Sequence, residues 1–257
     1  MPSAAVTITN DAGRGAALAD QVRSGSVRAL SRLITLVECH HPDGLDGLTR
    51  LSAEYHRPLV IGVTGYPGAG KSTLINALVK SYRREGMTVA VLAVDVSSAR
   101  TGGALLGDRI RMHEHALDPG VYIRSMATRG HLGGLAQTTE EASRVLAGAG
   151  YDVVLIETVG VGQNEAEIVH VAPIVIAVVA PGLGDEVQAM KAGLLELADI
   201  IVVNKADSPG GDRTLRDLRE WCPVVIGTIA ATGEGISDLV AEIAAREEKH
   251  GCAKDRT

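Results

Sequence analysis

Apolar residues recur along this chain with two different periods. Between Arg14 and Glu38 the side chains of Leu30, Leu33, Ile34 and Val37 fall on one face at helical spacing. A polar break at Cys39-His40-His41-Pro42-Asp43-Gly44 follows, and a second short helix is predicted from about Leu45 to His56, ended by Pro58. Beyond Pro58 the pattern changes. Short runs of Val, Ile, Leu and Ala alternate with helix-length stretches, which is how a parallel sheet buried on both faces reads. The predicted strands are 59–64, 88–94, 121–124, 152–157, 174–180, 200–203 and 223–227. Helices are expected after Lys71, Asp108, Gly134, Glu165, Asp185, Asp212 and Ile236. The last places Ile236, Leu239, Val240 and Ile243 on one face and then gives way to polar residues. The expected fold class is α/β: a doubly wound, mostly parallel sheet of about seven strands with an N-terminal helical extension. The expected organisation is a tail and helical extension over 1–57, a main domain over 58–246 and a polar C-terminal tail over 247–257.

Composition sharpens this picture in a few places. The 257 residues are 46% hydrophobic yet contain no phenylalanine, so the core is aliphatic. With 25 basic against 31 acidic residues there is no basic field for nucleic acid, and none is expected as a partner. No run reaches the roughly 20 apolar residues of a membrane span. The N-terminus also lacks the basic start and apolar run of a secretory signal. The three cysteines, Cys39, Cys222 and Cys252, form no CxxC pair, which favours a reducing cytoplasm over a disulfide framework.

The chemistry is concentrated at strand ends. Gly65-Tyr66-Pro67-Gly68-Ala69-Gly70-Lys71-Ser72-Thr73 matches G-x-x-x-x-G-K-[ST] without a gap, between a predicted strand and a predicted helix. Glycines at this spacing let backbone N–H groups wrap a β-phosphate, and the helix N-terminus adds its positive end. Lys71 would neutralise β- and γ-phosphate charge, and the Ser72 hydroxyl would ligate Mg²⁺. Asn204-Lys205-Ala206-Asp207 follows the apolar run Ile200–Val203 and is similar to the guanine-specifying N-K-x-D motif. There Asp207 would accept from guanine N1–H and N2–H₂, a donor pair adenine does not offer, which favours GTP and GDP over ATP. A polar turn, which Asn and Asp also favour, is the plainer alternative.

Between these motifs the strand 152–157 ends in Glu157, followed by Thr158, Val159 and Gly160. It resembles a Walker B and switch II segment with Glu in place of Asp. Glu157 would approach Mg²⁺, and the Gly160 amide would report the γ-phosphate. Val161 stands where Ras-like GTPases carry a catalytic glutamine, so intrinsic hydrolysis is expected to be slow. Asp95 ends the second strand and is either near the phosphates or a helix or loop cap; Asp108 is a further acidic candidate that precedes a helical stretch and fits a helix N-cap. His113-Glu114-His115 does not match H-E-x-x-H and reads as a solvated helix face, and His40-His41 reads likewise.

Taken together these motifs resemble the MeaB/ArgK family of SIMIBI-class P-loop GTPases. The likeness runs from about Ala16 to Val240. It includes Val91–Asp95, Arg100–Gly103, Leu106–Met112, Gly130–Gly134, Glu157–Gln163, Pro181–Gln188 and Glu196–Asp199. The resemblance implies that Ser72, Asp95, Asp108 and Glu157 surround Mg²⁺ and the attacking water. It also implies that Lys191, in a third switch loop, approaches the nucleotide, although an ordinary solvated lysine fits that position as well. Two departures stand out. Asp95-Val96-Ser97-Ser98 replaces the family's Asp-Pro-Ser-Ser. Ile229-Ala230 replaces its guanine-backing Ser-Ala, which leaves the Ala230 amide as the part retained. The resemblance implies a GTPase that gates cobalamin loading of an adenosylcobalamin-dependent acyl-CoA mutase. It also implies a homodimer built through a C-terminal helical arm, and that expectation is in doubt here because this chain ends about ten residues after the last expected helix. A metallochaperone GTPase, or a nucleotide-gated scaffold with little turnover, are the alternative readings.

Overall fold

A computed structural model describes residues 13–52, 57–95, 113–115, 117–127, 134–158, 168–182 and 198–254. The chain divides into two compact units, Met1–His56 with Glu141–Gly150, and Arg57–Glu140 with Tyr151–Thr257.

The first unit is helical. The pattern expected as one helix from Arg14 is broken into α1 (Arg14–Arg23) and α2 (Val27–Glu38). The break is local chemistry: Gly25 takes φ 85°, and Ser26 caps α2 by accepting from the Ala29 amide at 3.3 Å. The next helix, α3 (Pro42–Ser52), starts earlier than expected because Pro42 suits a first helical position. Leu30, Leu33, Ile34 and Val37 of α2 are buried, as are Leu48 and Leu51 of α3. The Glu141–Gly150 segment groups with these helices rather than with the sheet, which moves the expected boundary at residue 58 into a discontinuous one.

The second unit holds a seven-stranded sheet. Its elements in chain order are β1 (Leu59–Gly65), α4 (Lys71–Arg84), β2 (Val89–Asp95), a 3-10 turn (His113–His115) and β3 (Val121–Ala127). Then come α5 (Gly134–Gly148), which runs into the first unit, β4 (Val153–Thr158), a short turn of helix α6 (Ile168–Val171) and β5 (Ile174–Val179). The chain closes with β6 (Ile200–Asn204), α7 (Gly211–Arg219), β7 (Val225–Thr228) and α8 (Ile236–Lys254). The strand order is β3-β2-β4-β1-β5-β6-β7, and every pairing of neighbouring strands is parallel.

Parallel pairing explains the continuous apolar runs of β4, β5 and β6, every residue of which is buried, whereas the edge strands β3 and β7 are partly exposed. On one face Leu74, Ile75, Leu78 and Val79 of α4 pack with Val63, Leu155 and Ile176 and with Leu239 and Ile243 of α8. On the other, Leu218 of α7 joins Ala177, Val179, Ile201 and Val203. From β1 the chain runs to β2 and β3 on one side, returns through β4 beside β1, and continues to β5, β6 and β7 on the other, so the crevice of the sheet opens at the C-terminal end of β1. The loops expected to carry chemistry leave β1, β4 and β6 at that same edge. At the far end, α8 continues to Lys254, so most of the stretch expected as a polar tail is helical. Just before that stretch Arg246 donates from Nε to Glu242 Oε1 at 3.0 Å and reaches Asp199 at 3.3 Å. The helices expected after Asp108 and Asp185 lie outside the described residues.

Gly62, in the middle of β1, is needed because Ile168 of α6 sits where a Cβ would be, with Ala172 Cβ 3.1 Å away. Gly62→Val is expected to cost about 1–3 kcal/mol through overpacking at this seam. Urea unfolding of the variant checks this, and an unchanged midpoint would mean the seam has slack.

Candidate functional site

Seven apolar or small residues carry β1 to Gly65, and the chain then turns through Tyr66, Pro67, Gly68, Ala69 and Gly70 into α4. Gly70 caps the helix with φ 94°, a left-handed conformation that a side chain resists, and Asn204 Nδ2 occupies the place of its missing Cβ. Lys71 is only 8% exposed, and its ammonium donates to the Gly65 carbonyl at 2.7 Å and the Tyr66 carbonyl at 3.2 Å. The cation is thus folded back over its own loop, at the helix N-terminus where an anion is stabilised.

The next residue joins two strand ends. Ser72 Oγ donates to Glu157 Oε1 at 2.7 Å, although the two are far apart in sequence. Glu157 is 6% exposed at the C-terminal end of β4, beside β1 in register with Val63. A hydroxyl and a carboxylate are hard oxygen donors, and Mg²⁺ in nucleotide sites uses one or two carboxylates together with phosphate oxygens. The pair therefore fits Mg²⁺. Among the described residues no cluster of three or more His, Cys, Asp or Glu forms a cage for another metal. Asp95 ends β2 one register step beyond Val94 and Thr158, so its backbone reaches the same sheet edge as Glu157. Asp108, Gly160 and Lys191 lie outside the described residues.

The second motif reaches the first through its own side chains. Asn204 is 2% exposed at the end of β6. Its Nδ2 donates to the Ala69 carbonyl at 3.0 Å, while its Oδ1 accepts from the Ala230 amide at 3.1 Å and from Thr228 Oγ1 at 3.2 Å. Lys205 takes φ 57° and stretches across the phosphate loop to donate to the Gly68 carbonyl at 2.8 Å. The Ala206 amide donates to the Thr228 carbonyl at 3.1 Å, holding the turn that presents Asp207. Asp207 itself is exposed. The two motifs are thus one site.

Three residues of this arrangement differ from or escape the sequence reading. Ala230 gives its amide to Asn204, so its first role is to fix that side chain. The hydroxyl that Ile229 cannot supply comes one residue earlier from Thr228, a lone polar residue closing an apolar run. His115 is buried rather than solvated, with Nε2 2.5 Å from Asn76 Oδ1 on α4. Burial first, and Lys80 second, push its pKa below the usual imidazole value, so it is neutral at pH 7 and donates Nε2–H to that acceptor. Its neighbour Glu114 is exposed, as expected, and pairs with Lys80.

The model of the family described as "Methylmalonyl Co-A mutase-associated GTPase MeaB" matches residues 30–255. A putative GTPase of Pyrococcus abyssi is 48% identical over 244 residues, covering 90% of this chain and 75% of that one. The mitochondrial methylmalonic aciduria type A homolog of Mus musculus is 38% identical over 255 residues, covering 86% of this chain and 61% of that one. Among solved structures, one described as an LAO/AO transport system kinase superposes with a TM-score of 0.72 at 30% identity, covering 96% of this chain and 79% of that one.

Removing the Asn204 side chain strands a buried carbonyl and a buried amide on two loops. Asn204→Ala is expected to lower stability by about 1–3 kcal/mol and to weaken GDP binding in parallel. Denaturant unfolding and GDP titration measure the two effects, and a variant with native stability and affinity would contradict the bridging role.

Proposed function

The chain belongs to the MeaB family of methylmalonyl-CoA mutase-associated GTPases, and we propose that it is a Mg²⁺-dependent GTP-binding switch that hydrolyses GTP slowly on its own. The observation that carries this reading is the contact of Asn204 and Lys205 with the carbonyls of Ala69 and Gly68. A base-selecting motif held against a phosphate loop is the layout of a guanine nucleotide site, with Asp207 at one end and Lys71 and Ser72 at the other.

In this mechanism backbone N–H groups of the Gly68–Thr73 stretch hold the β-phosphate, and Lys71 leaves its two loop carbonyls to sit against the β- and γ-oxygens. Ser72, Asp95, Asp108 and Glu157 would hold Mg²⁺ directly or through water, and the ion would supply charge neutralisation for the phosphates. Water attacks the γ-phosphorus in line with the leaving β-oxygen, and Gly160 reports the γ-phosphate. Val161 cannot orient that water as a glutamine would, which leaves the step slow until further charge is supplied. Lys191 supplies it in this reading. The partner is an adenosylcobalamin-dependent acyl-CoA mutase whose cobalamin loading the nucleotide state gates. Support for this comes from the family's description and from the methylmalonic aciduria type A homolog among the relatives.

Two measurements follow. Asp207→Asn keeps one acceptor but turns the other into an NH₂ donor, which opposes guanine N2–H₂ and matches the xanthine 2-oxo group, so the preference is expected to move from guanine towards xanthine nucleotides by roughly 10²-fold or more. Competition binding with GTP and XTP reads this, and unchanged selectivity would refute base recognition by Asp207. Single-turnover GTP hydrolysis, with and without a purified methylmalonyl-CoA mutase, tests the partner. Acceleration of about tenfold or more is expected, and identical rates would remove the mutase assignment.

A further inference from the structure

A groove of about 520 Å³ runs alongside α4, and none of the motifs accounts for it. One wall is the α4 face carrying Thr73, Lys80, Ser81 and Arg84. The opposite wall is the turn after β7 and the start of α8, where Thr232 and Ser237 face it. The volume lies within the roughly 300–1,000 Å³ of small-molecule sites.

Two residues of the groove lining, one on each wall, adjoin the nucleotide site. Thr73 follows Ser72, and Ala230, which lines the groove, donates its amide to Asn204. In a nucleotide the ribose is the part that joins base to phosphates. A ligand with its base at Asp207 and its phosphates along Gly65–Ser72 therefore carries its sugar past Thr73 and Ala230, which line the groove. A substituent on the ribose hydroxyls has this groove to enter.

What lies further in favours an anion. Lys80 is about 10 Å along the α4 axis from Thr73, and Arg84 is about one helical turn beyond it. Arg84 is exposed and has no hydrogen bond or ion pair with another described residue. Lys80 is partly offset by Glu114, the one carboxylate of the lining, whose pKa the lysine holds below the usual carboxylate range. An incoming dianion competes with that surface pair at little cost, because exposed ion pairs contribute little. The hydroxyls of Thr73, Ser81, Thr232 and Ser237 add donors on both walls.

We propose that this groove receives a phosphate or diphosphate carried on the 3′-oxygen of the ribose, with Lys80 and Arg84 as its cationic contacts. The inference rests on the guanine-nucleotide reading and adds a second class of ligand to the same site: guanosine phosphorylated at both the 5′ and 3′ positions. A 5′-diphosphate of this kind occupies the phosphate loop without a γ-phosphate, so it holds the switch in its product-like state and competes with GTP.

The test is calorimetric titration of the full chain with GDP and with guanosine 5′-diphosphate 3′-diphosphate, in Mg²⁺ and at two salt concentrations. The doubly phosphorylated nucleotide is expected to bind about tenfold tighter than GDP or better, with the advantage shrinking at high salt. The double variant Lys80→Ala, Arg84→Ala is expected to bring the two ligands to parity while GDP affinity stays within about twofold. Ser81→Trp, which fills the groove and keeps its charges, is expected to give the same selective loss. Equal or weaker binding of the doubly phosphorylated nucleotide by a wild-type chain that binds GDP would overturn the inference. So would an advantage that survives both variants. Loss of binding to both nucleotides by the wild-type chain would instead remove the guanine-nucleotide reading, and this inference with it.

Discussion

The side chain of Asn204 is the constraint on which the site depends. It is buried at the end of β6, donates to the phosphate loop after β1 and accepts from the turn after β7. Three loops that leave three different strands are thereby fixed by one amide with both of its polar ends used. The cost of an unmade hydrogen bond in so buried a place makes the arrangement nearly all-or-none. It also dictates sequence elsewhere. Gly70 has no side chain because Asn204 Nδ2 stands where one would go, and the left-handed φ of Gly70 is what turns the chain into α4.

The sheet makes this possible by gathering loop ends on one edge. With β1 flanked by β4 and β5, the acid that ends β4 faces the first turn of the helix that follows β1. Ser72 and Glu157 meet there as a pair of hard oxygens, and Lys71 lies beside them held by carbonyls of its own loop. The ammonium is desolvated and pre-positioned, so exchanging two carbonyl partners for phosphate oxygens strengthens its interactions without a large rearrangement. The base end is built more loosely at its tip. Asp207 is exposed, while Lys205 and Ala206 behind it are tied to Gly68 and Thr228.

Much of this was legible in the sequence, for physical reasons that also mark the limit. Strands covered on both faces must be continuous apolar runs, so the five inner strands showed as such, and each of the two nucleotide motifs is contiguous. The break between α1 and α2 was missed because Gly25 and Ser26 interrupt an otherwise unbroken apolar face. The helical end of α8 was missed because the run Glu247-Glu248-Lys249-His250 has no apolar face to carry the helical period. Thr228 and His115 act through partners distant in sequence, Asn204 and Asn76, and no local pattern announces such pairs. The grouping of Glu141–Gly150 with the N-terminal helices is likewise a tertiary fact with no local signal.

The central claim is that one asparagine-pinned site selects guanine at one end and holds phosphates at the other. Calorimetric titration of the wild-type chain with GDP and ADP, each with Mg²⁺, measures this most directly. The expected result is one site that binds GDP at least about 10²-fold tighter than ADP. Equal affinities for the two nucleotides, or no binding of GDP, would contradict it.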